Sequence, residues 1–275
     1  GDICAFKDYL NTWDNNALTL SPNGTDKIGG IAADSILNTE SQSVTIIYID
    51  STRGWIDVHD STSNVEGAKF ITASVSGSGN TLTTVCTDYK LATFTGPGTF
   101  TVCSVGNPAG SNEVSYAVVA GGGSGGRAIG GGAGAGGFRE GKSPQTPYTA
   151  SPLACTSGSN NGLTVTATGY PITVGAGGAM APPSPGSGTS GANSIFSSIT
   201  SAGGGGGAGN TLAGVNGGSG SGAGATASGG TGNTPPVSPA QGKDGGNGGG
   251  TNSNPVGTGG GGGATAAGGN GSYPS

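Results

Sequence analysis

Charge is scarce in this chain, and its absence excludes several functions. Only 8% of the 275 residues are charged, and the nine Lys and Arg form no cluster. Nucleic acid or an anionic membrane needs stripes of cations to neutralise phosphate, so neither is an expected partner. No apolar run approaches the roughly 20 residues needed to span a bilayer. No charged-then-apolar leader opens the chain, so secretion by that route is not expected. The first residue is Gly1 and the only methionine is Met180, which leads us to expect a trimmed chain or one segment of a longer polypeptide.

Catalytic side chains are equally sparse. His59 is the sole histidine, which argues against Ser-His-Asp or Cys-His nucleophile systems. In Asp57-Val58-His59-Asp60 a regular strand puts Asp57 and His59 on one face. No third ligand is suggested, so the expectation is a solvated face, with no metal and no cofactor. A glycan-cleaving site needs two carboxylates a few ångströms apart. Beyond residue 120 the only acids are Glu140 and Asp244, and the twelve before it are scattered. No enzyme is expected.

The four cysteines, Cys4, Cys86, Cys103 and Cys155, include no C-x-x-C pair, so a zinc site is not indicated. They read as buried or half-buried thiols of a protein assembled in a reducing cytoplasm. Cys86 and Cys103 both fall in apparent strands, and a bridge between them is left open.

The stretch GGFREGKS, Gly136–Ser143, fits the phosphate-loop pattern letter for letter. That loop works only between a buried strand and a helix. Glycine precedes it here, and Pro144 and Pro147 follow closely enough to prevent a helix. The match is a product of composition.

What the chain has in excess is glycine, 63 residues, unevenly placed: 12 lie in residues 1–120 and 51 in residues 121–275. The first 120 residues read as strands. ALTLS, SVTIIYID, WIDVHD, KFITASVS, TLTTVCT, YKLATFT, TFTVCSV and VSYAVVA are alternating or β-branched, with turns at PNG, STRG, SGSGN, TGPG and NPAGSN. No helical period competes, so this part is all-β. We divide it into modules at 1–60 and 61–120.

Residues 121–275 contain only 14 Leu, Ile, Val or Phe among 155 positions, too few for an ordinary core. Runs such as GGGGGAGN break the strict period of collagen. The alternative is a bundle of packed polyglycine II helices: left-handed, three residues per turn, rising about 3.1 Å per residue. Such helices carry no internal hydrogen bonds, so their peptide groups must pair with neighbouring helices. Only Gly permits that approach. The candidate helices are GGGSGG, GGGAGAGG, GGGGGAG, GGSGSGAG, GGNGGG and GGGGG. Phe138–Thr173, Met180–Ser201, Asn210–Asn216, Thr231–Asp244 and Thr251–Thr258 are left as loops.

The strings FTGPGTFTV, NPAGSNEVSYAVVAGGGSGG, AGAGGFREGKS, SPLACTSG, GYPITVGAGG and SITSAGGGGGAG resemble glycine-rich tail-fibre proteins of tailed bacteriophages. NNALTLSPNGTDKIGGIAADSILNTESQSVTIIYIDSTRGW resembles a β-structured module of such fibres. Together they cover most of residues 10–210. The resemblance implies a receptor-binding tip adhesin of the virion, assembled in the host cytoplasm. Its polyglycine sandwich would present loops to a host surface glycan or outer-membrane protein. It also implies partnership with other fibre chains, a homotrimer being the common arrangement of a shaft. Here β modules and the glycine region share one chain, which is not the usual arrangement of a separate tip.

Tyr148 in SPQTPYTASP, Pro182 and Pro183 in MAPPSPGS, and Asn233, Pro235 and Pro236 in GNTPPVSP are the candidate receptor-binding residues. Stiff and aromatic loops lose little entropy on binding. The competing reading is a shaft or junction that never touches a host. A more distant one is an ice-binding protein, which would need a flat face of regularly spaced Thr or Ala.

Overall fold

A computed structural model describes residues 1–61, 69–86, 89–106, 110–154, 161–183, 186–250 and 257–272. Every regular element among them is a strand, as the alternating patterns require. Two compact units form: Gly1–Lys69 with Asn107–Gly110, and Phe70–Gly106 with Ser111–Ser275.

In the first unit β4 (Ser43–Asp50) lies between β1 (Ile3–Lys7) and β5 (Gly54–Ser61), both antiparallel to it. A hairpin of β2 (Leu18–Leu20) and β3 (Ser35–Leu37) accompanies them. Alternation along β4 turns Val44 and Ile46 inward to meet Leu37, with Phe6, Trp13, Leu18, Leu20 and Trp55 packed around. Asp8 is buried beneath the turn that follows β1, and its carboxylate accepts backbone N–H bonds from Thr12, Trp13 and Ser41 at 3.0–3.1 Å. Burial pushes its pKa up, but the backbone donors outweigh it and hold the group below the usual carboxylate range.

The register of β5 overturns one expectation. Thr45 pairs with His59 but Ile46 pairs with Asp57, so Val58 is the extra residue of a bulge. The inserted residue switches the alternation. Asp57 and Asp60 oppose the inward Ile46 and Val44, while His59 opposes Thr45 on the other face. Asp57 and His59 therefore do not share a face.

The second unit contains a five-stranded antiparallel sheet. It runs β16 (Ile199–Ser201), β15 (Ser194–Phe196), β14 (Gly169–Thr173), β9 (Gly98–Ser104), β6 (Thr72–Ser76). Three two-stranded pairs join it: β7 (Thr81–Val85) with β8 (Tyr89–Thr93), β10 (Glu113–Val114) with β13 (Leu163–Thr164), and β11 (Tyr116–Val119) with β12 (Phe138–Gly141). Its apolar core is Phe100, Val102 and Val165, and the Phe196 ring meets Phe100, Tyr116 and Tyr170 edge-on at 6.0–6.4 Å. Two stretches left as loops, Phe138–Thr173 and Met180–Ser201, thus contribute strands. Tertiary pairing with β9 and β11 organises segments too short to announce themselves. The thiols also differ from expectation: Cys4, Cys86 and Cys103 are free and exposed, with no bridge between Cys86 and Cys103. Cys155 lies outside the described residues.

Beyond the strands the ladder changes period. The β11–β12 pairing continues as Ala120, Gly123 and Gly126 donating to the carbonyls of Gly137, Gly134 and Gly131. The residues between them serve other neighbours: Gly121, Ser124 and Arg127 donate to Ala192, Thr189 and Gly186. Gly131, Gly134 and Gly137 in turn donate to Ala208, Gly205 and Ala202, and Gly205 and Ala208 to Ser219 and Gly222, all at 2.8–3.3 Å. Every run repeats its partner at each third residue. The runs 202–209 and 217–225 are buried along their whole length.

At Gly205 an added Cβ would lie against the carbonyl oxygen of Val215, closer than side chains approach backbone. At Gly125 it would meet nothing. Gly205→Ala should therefore destabilise the chain by about 1–3 kcal/mol, the usual overpacking range. Gly125→Ala should be neutral or stabilise by about 0.4–1 kcal/mol through its effect on the unfolded chain. Denaturant titration of the two variants checks the contrast.

Candidate functional site

The hydrogen-bond partners fix the direction of each run and sort the connections to two ends of the second unit. Run 120–126 leaves the strands, 131–137 returns to them, 186–192 returns beside it, and 202–208 leaves again. Gly224 and Ala225 donate to Leu212 and Asn210, and Gly250 donates to Ala225. Turns 127–130, 209–212 and 225–228, with residues 180–183, accordingly share the end away from the strands. Segments 138–154, 161–174, 193–201, 232–241 and 263–266 share the strand end. The connection through 251–256 lies outside the described residues.

The six candidate residues divide between these ends. Pro182 and Pro183 are exposed at the far end. Tyr148 is at the strand end, its ring 5.6 Å from Lys142 Nζ. Burial pushes its phenol pKa up, and the neighbouring Glu140 carboxylate pushes it further. Asn233, Pro235 and Pro236 are also at the strand end. Asn233 Oδ1 accepts from the backbone N–H of Val237 and Gln241, at 3.1 and 3.2 Å. Pro235 and Pro236 are exposed, and the carbonyl of Pro235 accepts from Gln241 Nε2 at 2.8 Å.

Gln241, fully buried, is a hub that composition conceals. Its Oε1 accepts from Ala202 N and its backbone carbonyl from Phe138 N, each at 2.8 Å. One residue thereby ties the 232–241 loop, the buried run and the start of β12 together.

The far end carries residues that the sequence reading did not single out. Met180 is 78% exposed, Leu212 52% and Ile129 49%. Arg127 reaches Met180 Sδ with its guanidinium at 3.9 Å. Ala128 and Ile129 turn the chain with φ of 51° and 60°. A β-branched residue rarely adopts that region, and such strain concentrates at functional positions. The available signal was a large apolar residue amid glycine, where no apolar core could claim it.

Other candidate features reduce to structure. A cavity of about 170 Å³ in the first unit is lined by Leu20, Ile28, Leu37, Val44 and Ile46, with Asp57 and Asp60 among its walls. Among the described residues no group of three His, Cys, Asp or Glu is placed to hold a metal ion. Among the same residues no helix is long and apolar enough to cross a membrane. Within GGFREGKS, residues 138–141 are strand, and the buried Ser143 donates to Glu113 Oε2 at 3.3 Å. No phosphate loop forms.

The Tyr148 environment is directly measurable. Its phenol should titrate above the ordinary value of about 10, and Glu140→Gln should lower that midpoint by removing the carboxylate. Absorbance at 295 nm against pH, with Tyr148→Phe identifying the transition, checks both.

A family model described as a glycine-rich domain matches residues 94–275. No curated protein and no solved structure matches the chain. The matched span takes in the five-stranded sheet from β9 onward together with all the glycine runs. The chain belongs to the glycine-rich domain family.

Proposed function

We propose that this is a tail-fibre protein of a bacteriophage virion that attaches the particle to its host cell. The glycine runs are read as polyglycine II helices, and the loops at their far end as the attachment surface. One observation carries the reading: each run repeats its hydrogen-bond partner every third residue, as a three-residue helix does. A lattice of main-chain groups leaves its connecting turns free to change without disturbing a core. Turns 127–130, 209–212 and 225–228 and residues 180–183 emerge together at one end of such a lattice.

Pro182 and Pro183 belong to this surface. Tyr148, Asn233, Pro235 and Pro236 stand at the opposite end and suit contacts with other fibre chains, a homotrimer among them. The host partner is a surface glycan or an outer-membrane protein. Residues before the glycine region serve assembly into the fibre. No catalytic step is assigned.

Fluorescently labelled full chain should bind a subset of strains in a panel of Gram-negative bacteria, and excess unlabelled chain should compete. Binding to no strain, with antibody labelling along a fibre rather than at its tip, would favour a shaft protein without receptor contact.

A further inference from the structure

We infer that the far end docks on a protein surface that presents a carboxylate among apolar side chains. The inference rests on the attachment reading and names the chemistry of its partner.

The argument begins with where charge falls. Residues 121–275 contain six charged side chains: Arg127, Arg139, Glu140, Lys142, Lys243 and Asp244. Arg139 and Glu140 belong to β12, and Lys142 follows it at the strand end. Lys243 and Asp244 begin the run whose Gly250 reaches the far end. Arg127 is left as the one charged residue of the far-end turns. The described geometry gives its guanidinium a thioether, Met180 Sδ, in place of a carboxylate. A cation that is not neutralised within its own surface favours an anionic partner, which sets orientation and association rate.

The surroundings decide what bears the anion. Met180 and Ile129 expose apolar side chains near that charge, and Leu212, Pro182 and Pro183 are exposed in turns at the same end. Proline and a strained turn hold this surface in shape, which lowers the entropy lost on docking. The far-end turns contain no Trp, Tyr or Phe. Sugar rings and nucleobases are commonly gripped by stacking on aromatic faces, and the described turns offer none. Aliphatic side chains around one Arg match the apolar centre of a protein interface, where Arg and Met are enriched.

The test uses the intact chain and immobilised peptides pairing Leu and Phe with Glu. Matched peptides with Lys in place of Glu, and an array of neutral and sulfated glycans, serve as controls. The wild-type chain should be retained about tenfold better on the Glu peptides than on the Lys peptides, a difference of about 1.4 kcal/mol. Arg127→Glu should reverse that preference, and Met180→Asp should abolish retention on the Glu set. Thr265→Asp, in an exposed turn at the opposite end, should leave both unchanged. Equal retention of both peptide sets, retention on neither, or stronger retention on glycans would overturn the inference. So would an Arg127→Glu chain that folds, by its unchanged melting temperature, and keeps the wild-type preference. Cell adhesion without peptide preference would sink this inference alone, and peptide preference without cell adhesion would sink the attachment reading alone.

Discussion

The second unit depends on one constraint: a peptide group must find its partner on another run, at van der Waals contact, with no Cβ between them. A β-ladder meets that need with alternate residues and leaves the others free for side chains. The glycine runs meet it with a period of three, each successive residue serving a different neighbour. Such packing is closed to any residue with a side chain wherever another main chain lies against the Cα. Glycine's loss of conformational freedom opposes the arrangement, and the shared hydrogen bonds of the interior runs offset it. Those runs bury no Leu, Ile, Val or Phe; their non-glycine positions are Ala and Ser. Ser219 and Ser221 remain compatible because each hydroxyl bonds main chain, Ser219 to the carbonyls of Gly136 and Gly263 and Ser221 to the N–H of Val215.

The strands and the runs are continuous. The β11–β12 pair passes directly into the first pair of runs, and the hairpin of β15 and β16 feeds run 202–208 from the same end. The apolar core around Phe100 and Phe196 therefore holds the point at which the lattice begins. Gln241 adds a polar clamp there, using the oxygen and the nitrogen of its side-chain amide and its own backbone carbonyl. Side-chain variety is concentrated at the strand end and in the turns, while the interior runs are nearly uniform.

Much of the first 120 residues was legible because alternation has few other meanings. SVTIIYID and WIDVHD became β4 and β5, and TLTTVCT and YKLATFT became β7 and β8. Strand β1 was missed: ICAFK shows four exposed residues of five, and only β4 supplies its reason to be extended. The bulge at Val58 was equally silent, since nothing in DVHD marks which residue will be left unpaired. Of the far-end turns the sequence reading named only Pro182 and Pro183, for their stiffness; Arg127, Ile129, Met180 and Leu212 gain meaning only when their turns meet at one end.

The sequence by itself determined that the chain is all-β at its start and that its second part cannot build an ordinary apolar core. Composition settles those matters, because burial of apolar area and room for a Cβ are properties of residue type. Tertiary structure decided which runs are neighbours, which way each points, and therefore which turns stand together. Glycine runs are interchangeable as sequence. Only the pairing of particular peptide groups, anchored by β11, β12, β15, β16 and Gln241, tells one from another.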